Sequence, residues 1–505
     1  MTQHPKRDLM WVGLGATSVA LAVLWIVSGF VMGVPFAPTA LAGALVRETP
    51  GDVATFFIET LGHWALRLVT AGALVAALAV GTLVLLWTAR PHPRPAIAGA
   101  ALLLLAGVAS AISPQDVSFV PTSIALGATF VTYVGCVRLA TRPLREPQPA
   151  EIDMGRRQAL RLGTGTMIGL ALGGGIVGWI ARRIGGPNRN VQIATPAEPV
   201  PTPPVGSFKN LAGLSPEVTS AEDHYVVDIN LVRPTVEAST WTLPVRGEVE
   251  TPLELTFESM QQDFEVVEDY SVLTCISNEV GGPLVGHSAW RGVRLADVLE
   301  AAGVRPSAMD IVFRAADGYT DSIPVEVARD PAVLLAVSQN GEPLTQAHGF
   351  PCRVRIPAIY GMKNVKWLLG IEAVARDYKG YWMQRGWSDR AVVKTQSRID
   401  VAGSGALRVG EATWIAGVAW AGDRGVRTVE VSTDGGGTWE AAELKEPLAD
   451  DSWRLWAYRW TPARAGATSI VCRAVDGNGD TQQATETPPH PNGAGGYHSV
   501  DVEVA

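Results

Sequence analysis

At 505 residues the chain is long enough for several domains with cores of their own, and a formal net charge of −8 with no basic stripe offers nothing to phosphate backbones. No zinc-finger or aromatic-basic ribonucleoprotein pattern occurs, which excludes nucleic acid as a partner. The four cysteines, Cys136, Cys275, Cys352 and Cys472, are too widely spaced for a disulfide framework or a zinc site, so each is by default a small buried hydrophobe.

Residues 1–183 are rich in Leu, Ala, Val and Gly and poor in charge, and five apolar runs near 11–33, 64–87, 95–112, 121–139 and 160–180 read as transmembrane helices. A span needs roughly 20 residues, which makes the third run short. Lys6 and Arg7, then Arg90 and Arg94, then Arg142, Arg145, Arg156, Arg157 and Arg161 mark alternate ends, whereas the 34–63 loop has only Arg47. The positive-inside rule puts the amino terminus in the cytoplasm, and five crossings leave the rest of the chain on the extracytoplasmic side of the cytoplasmic membrane. Arg182, Arg183 and Arg189 run against that rule. By default Arg156-Arg157 is a juxtamembrane pair, but Gly155-Arg156-Arg157-Gln158-Ala159-Leu160-Arg161, leading into a Gly-rich apolar stretch, resembles an internal twin-arginine export signal. His63 and Arg67 sit at one helix end, where snorkelling explains them, and no Cys-x-x-Cys-His occurs, so no haem is expected.

Residues 184–206 carry repeated prolines and read as an extended linker. From 207 to 403 short β-rich runs such as WTLPVRGEVE and SVLTCIS mix with a helical stretch at Val293 to Ala302, an α+β pattern. From 404 to 505 the helices stop, and WIAGVAW, VRTVEVSTDGGGTWE, WRLWAYRW and SIVCRAVD alternate with period two. An all-β immunoglobulin-like sandwich of about 100 residues fits that spacing.

Five blocks in order, SVLTCISN at 271–278, AWRGVRLADVLEAAGV at 289–304, NGEPLTQAHGFPCRVRIPAIYGMKNVKWL at 340–368, VEVSTDGGGTWEAAEL at 429–444 and RAVDGNGDTQ at 473–482, resemble the sulfite oxidase family of molybdopterin-dependent oxidoreductases, in its bacterial membrane-anchored form. The resemblance implies an α+β molybdopterin domain followed by a β-sandwich that pairs two copies, and a molybdenum–molybdopterin cofactor. It makes Cys275 the metal ligand, and a soft thiolate suits a metal otherwise held by dithiolene sulfur. It places His348 and Arg353 of HGFPCR and Lys366 of VKW on the pterin and its phosphate, where cationic donors make charge-assisted hydrogen bonds. Asp317 and Asp228 follow as weaker cofactor contacts, each otherwise a turn residue or cap. Trp290 in AWRG keeps the family's active-site residue, and Trp387 in MQRGW stands where the family has an active-site Tyr.

The departures bear on substrate. Sulfite-oxidising members have Arg five residues after the molybdenum Cys, but that position is Val280 here, YVVD at 225–228 lacks a second arginine, and the carboxy-terminal GAGGYH lacks a third. Loss of those cations removes the field that would hold a dianion. The expected function is therefore oxygen-atom transfer on a small substrate other than sulfite, with a quinone or cytochrome as electron-transfer partner. The alternatives are a sulfoxide or N-oxide reductase and, outside catalysis, a surface-anchored β-sandwich that only binds.

Overall fold

The structure is a computed structural model that describes residues 6–31, 33–61, 64–88, 94–111, 118–141, 165–177, 190–204, 208–229, 233–403 and 405–505. The Arg156-Arg157 motif lies outside them. By internal contacts the chain divides into an amino-terminal unit, joined by the segments Asp228–Thr235 and Ala316–Gly318, and a second unit holding the remainder.

In the amino-terminal unit, Asp8–Phe30, Arg67–Thr88 and Phe119–Thr141 are long and apolar enough to cross a membrane, while the apolar helices Pro95–Ala111 and Gly165–Val177 are shorter. Small residues bring the helices together: a Cβ on Gly81 would lie 2.3 Å from Thr17 Oγ1, and the Tyr133 hydroxyl donates to Gly81 O at 3.2 Å. Trp25 Nε1 likewise donates to Gly175 O at 3.2 Å, tying the 165–177 helix to the first. Trp87, Leu104, Phe119, Ile124, Leu139 and Leu172 remain exposed on the outer faces, an apolar surface that suits lipid rather than water. The stretch from Val34 onward, read above as a loop, holds two helices, Ala37–Glu48 and Gly51–Leu61. Pro38 opens the first from its initial turn, where a missing N–H costs nothing.

The second unit begins with 190–204, which carries no regular structure but is not free. Ala197 N–H donates to Val266 O at 3.1 Å, and the Tyr270 hydroxyl to Pro201 O at 2.9 Å. The proline-rich segment thus runs beside the strand Val266–Thr274. Two sheets follow. One orders Leu253–Thr256, Thr242–Gly247, Leu368–Val374, Asp310–Ala315 and Thr320–Pro324, with a parallel pairing of Val245 to Ile371. The other runs Val266–Thr274, Val285–Arg294, Leu334–Gln339 and Glu342–Pro343, with Arg353–Arg355 pairing onto Leu334–Gln339. Pairing draws Val293 and Arg294 into a strand, so the helix expected from Val293 occupies Leu295–Ala302, closed by left-handed Gly303.

The carboxy-terminal sheets take their first strand from Gln396–Ala402, ahead of Ser404. Gln396–Ala402, Thr413–Trp420, Arg454–Trp460 and Glu443–Leu444 form one; Glu440–Ala441, Val426–Ser432, Gly466–Asp476 and His498–Val504 form the other. They share one core, in which Ile415 and Trp456 of the first meet Val429, Val431 and Ile470 of the second. Burial alternates with period two along Gly466–Asp476 and His498–Val504, whereas Ile415–Trp420 is buried on both faces.

Buried polar contacts join the loop before Arg454 to the Val266–Thr274 strand. Asp451 accepts from Arg355 at 2.8 Å and from the Ser271 hydroxyl, while its carbonyl accepts from Val272 N–H at 2.8 Å. Alongside, buried His287 is fixed through Nδ1 on Glu217 O at 2.6 Å and Nε2 on Ser452 Oγ at 2.9 Å. Burial lowers its pKa from 6.5 to about 4. Its depressed folded value means stability is present above 6.5 and lost as pH falls toward 4. Between pH 7 and 5 the loss from this one group is about 2 kcal/mol, and His287→Gln should lack it. Denaturant unfolding of wild type and variant at both pH values measures the difference; equal pH dependence would contradict the assignment.

Candidate active site

The strand Val266–Thr274 pairs with Val285–Arg294 along its whole length, ending at Thr274 opposite Val285. Cys275 is the first residue past that end. Its N–H donates to Leu284 O at 2.9 Å and its carbonyl accepts from Asn278 N–H at 3.0 Å, while Asn278 Oδ1 accepts from Leu284 N–H at 2.8 Å. A tightly closed loop therefore presents the sulfur of a residue only 7% exposed. Burial raises the Cys275 pKa, against hydrogen bonds from Ser277 N–H and hydroxyl and the positive charge of Lys366. These groups favour the thiolate, the form a metal takes. Half-buried Tyr225 and buried Tyr360 carry phenols close enough to feel Cys275, and desolvation first, with that sulfur's charge also acting, raises both.

The three cationic residues converge on Gly349. It sits at φ +106°, and a Cβ there would lie 3.0 Å from Lys366 Cβ and 3.2 Å from Arg353 Cβ, so only glycine permits the approach. His348 ends a single 3-10 turn whose Thr345 side chain accepts its N–H, and its Nε2 lies 2.7 Å from Ala221 O. Arg353 donates to His348 O and Asn364 O, both at 3.1 Å, and lies 5.1 Å over the Trp290 ring. Lys366 Nζ donates to Val227 O at 3.2 Å and Ala347 O at 3.3 Å.

Among them stands His224, which the sequence reading missed because HYVVD has no periodic or motif signal. It is 2% exposed, packed edge-on against His348 and Trp290, and among the described residues its Nε2 has no hydrogen-bond partner. Burial, and after it the charges of His348, Arg353 and Arg355, lower its pKa to about 3, against the hydrogen bond with Tyr225 O. A neutral ring with an unanswered buried nitrogen, beside a cradle of cations, fits a polar anionic group brought in from outside.

The other candidates divide. Trp290 is fully buried behind Arg353, with Nε1 3.4 Å from Ser271 O. Trp387 is stacked on His490 and Trp382. Asp228 pairs with Arg233 at 2.8 Å and Asp317 is buried, but both lie in segments that group with the amino-terminal unit rather than with Cys275. Val280 packs beside Gly496, a Cβ on which would meet Val280 Cγ2 at 3.4 Å. The carboxy-terminal GAGGYH segment, which lacks an arginine, thus comes close to Val280. Cys352 and Cys472 are buried and Cys136 is half-buried; all four cysteines are free.

Residues 230–382 match the oxidoreductase molybdopterin binding domain family, and 390–488 the Mo-co oxidoreductase dimerisation domain family. Mouse mitochondrial sulfite oxidase is 37% identical over 238 residues, 40% of this chain and 43% of its own. Barley NAD(P)H nitrate reductase is 31% identical over 327 residues, 52% of this chain and 37% of its own. An uncharacterised oxidoreductase of Bacillus subtilis (strain 168), YuiH, is 34% identical over 154 residues, 30% of this chain and 75% of its own. The chain therefore spans only 43% and 37% of the first two relatives' lengths. The crystal structure of the sulfane dehydrogenase SoxCD from Paracoccus pantotrophus aligns with a TM-score of 0.50 at 22% identity over 57% of this chain and 81% of that one, a likeness of fold.

These matches define a molybdopterin-binding oxidoreductase, an enzyme with a molybdenum cofactor, and so remove the reading of a surface protein that only binds. The chain belongs to the sulfite oxidase family.

Proposed function

We propose that residues 207–403 hold the molybdenum–molybdopterin cofactor and transfer an oxygen atom to or from a small substrate outside the cytoplasmic membrane, to which residues 1–183 anchor the enzyme through five helices. The observation that carries this reading is Cys275 at a strand end, 7% exposed, with Ser277 hydrogen bonds and the Lys366 charge acting on its sulfur. In it Cys275 supplies the soft ligand, and His348, Arg353 and Lys366 around Gly349 hold the pterin and its phosphate. His224 answers a polar edge of the same group. When bound, the cofactor supplies two-electron oxygen-atom transfer, and the protein positions and desolvates the reactants. Trp290 backs Arg353, and Asp228 and Asp317 remain assigned more weakly to the cofactor. Residues 404–505 form an immunoglobulin-like sandwich that pairs two copies, and a quinone or cytochrome takes up or delivers electrons.

A sulfoxide or N-oxide reductase is the second reading, favoured by apolar Val280 where sulfite-oxidising members have an arginine. Purified full-length protein assayed with an oxide and a reduced dye, and with sulfite and an artificial one-electron acceptor, separates the two. Turnover of neither would count against oxygen-atom transfer itself. Export of the loaded domain through the twin-arginine motif predicts that Arg156→Lys with Arg157→Lys, which keeps charge and so topology preference, reduces protease-accessible 207–505 domain on intact cells. Undiminished surface exposure would leave the pair as a topology determinant only.

A further inference from the structure

Aromatic rings lead from the surface toward Cys275. Half-buried Trp382 stacks on Trp387 with centroids 3.9 Å apart and planes 9° apart, and Trp387 stacks on His490 at 4.2 Å and 26°. Trp387 is 7% exposed and His490 8%, so the imidazole plane is held by packing. His490 Nε2 lies 2.9 Å from Ser277 Oγ. The Ser277 hydroxyl has one proton, and that hydroxyl stands two residues past Cys275, on whose sulfur it acts to favour the thiolate. With that proton given to the sulfur, the oxygen is left to accept, and the contact calls for the His490 tautomer with hydrogen on Nε2.

The chain around His490 is itself tied down. Pro491 O accepts from Ser388 N–H at 3.0 Å, Gly493 O from Lys394 Nζ at 2.6 Å, and Ala494 O from Gln396 Nε2 at 2.8 Å. The imidazole is thus carried on a fixed segment that lies past the 390–488 stretch matched by the dimerisation family.

We propose that His490 is a positioning residue for Cys275: stacked on Trp387, it donates to Ser277 and holds that hydroxyl on the sulfur, so the carboxy-terminal segment completes a site built on a strand 213 positions earlier. This rests on Cys275 being the molybdenum ligand where the metal's spectrum is concerned, and on geometry alone where the loop is concerned. A hydrogen bond to a ligand's sulfur tunes the metal as well as orienting the ligand.

The test compares His490→Phe, which keeps a ring on Trp387 but no donor, with His490→Gln, which restores an N–H, and with Ser277→Ala, all in full-length protein purified in detergent. Two quantities are read: the sulfur-to-molybdenum charge-transfer absorption, and hydrogen exchange of the 276–282 amides. His490→Phe should shift the band in the same direction as Ser277→Ala, and the double variant should shift it no further, because both remove one interaction. Loop exchange should speed up roughly threefold to tenfold, as for one lost hydrogen bond, and His490→Gln should reverse both changes. A His490→Phe protein matching wild type in both readouts, or one whose shift adds in full to that of Ser277→Ala, overturns the proposal. If Cys275→Ser also leaves the absorption unchanged, the ligand assignment fails, and loop exchange alone decides the role of His490.

Discussion

Cys275→Ser is expected to lower kcat by roughly a thousandfold or more, about 4 kcal/mol of barrier, while leaving the fold in place. The two side chains are of similar size, so the closed loop that ties Cys275 N–H to Leu284 O and Cys275 O to Asn278 N–H has no reason to open. A serine oxygen can accept from Ser277 just as the sulfur does. What it cannot do is act as a soft anionic ligand at neutral pH, since a hydroxyl keeps its proton where a metal-bound thiol loses it. The loss should therefore appear in kcat with little change in the unfolding midpoint, and bound pterin should be retained at least in part. Steady-state turnover, molybdenum and pterin content, and denaturant unfolding of the purified variant check this. Wild-type activity with molybdenum intact would show that Cys275 is not the ligand.

The candidate cofactor residues are legible in sequence because they sit inside contiguous blocks: Cys275 in SVLTCISN, His348 and Arg353 in HGFPCR, Lys366 in VKWL. Alternation did the same for strands such as Thr413–Trp420 and Arg454–Trp460, whose inner faces share one core. What stayed hidden depends on contacts between distant positions. Nothing local marks His490 as a partner of Ser277, 213 residues away, or Asp451 as the partner of Arg355, 96 residues away. His224 has no motif, and its importance lies in an unanswered nitrogen that only packing reveals. The helices Ala37–Glu48 and Gly51–Leu61 are shorter than a span, so a reading that searched for runs of roughly 20 apolar residues passed over them. Prolines at 199–204 suggest an extended segment but give no sign that its carbonyls and N–H groups would meet Val266 and Tyr270. Trp387 was placed near the chemistry through a Tyr-to-Trp correspondence, whereas its stack gives it the more specific task of holding His490.

Sulfite is expected to be a poor substrate, with a catalytic efficiency roughly two orders of magnitude or more below that of family members that carry the pocket arginines. Binding a small dianion beside a metal-oxo group needs fixed positive charge in a low-dielectric site, and removing one partner from such a pair costs roughly 3 to 5 kcal/mol. At 1.36 kcal/mol per tenfold, even a partial loss of that size reaches two orders. Val280 stands at one of the arginine positions and brings no charge, and a Cβ on Gly496, in the GAGGYH segment that lacks another, would lie 3.4 Å from Val280 Cγ2. Two other arginines of the same domain, Arg291 and Arg385, are engaged elsewhere. Arg291 is paired with Glu268 at 2.9 Å, and Arg385 donates to Tyr381 O at 2.9 Å and lies over that ring. One ammonium does reach the segment: Lys394 Nζ donates to Gly493 O at 2.6 Å, and its own N–H lies 3.3 Å from the hydroxyl of Tyr360, a phenol that feels Cys275. A single lysine tied to a backbone carbonyl, its pKa lowered by burial, replaces a convergent set of guanidinium forks poorly. Steady-state kinetics with sulfite and an artificial one-electron acceptor decide the matter. Efficiency within tenfold of the arginine-containing enzymes would overturn the expectation, and a selective loss of sulfite turnover in Lys394→Met would then identify that lysine as the anion's anchor.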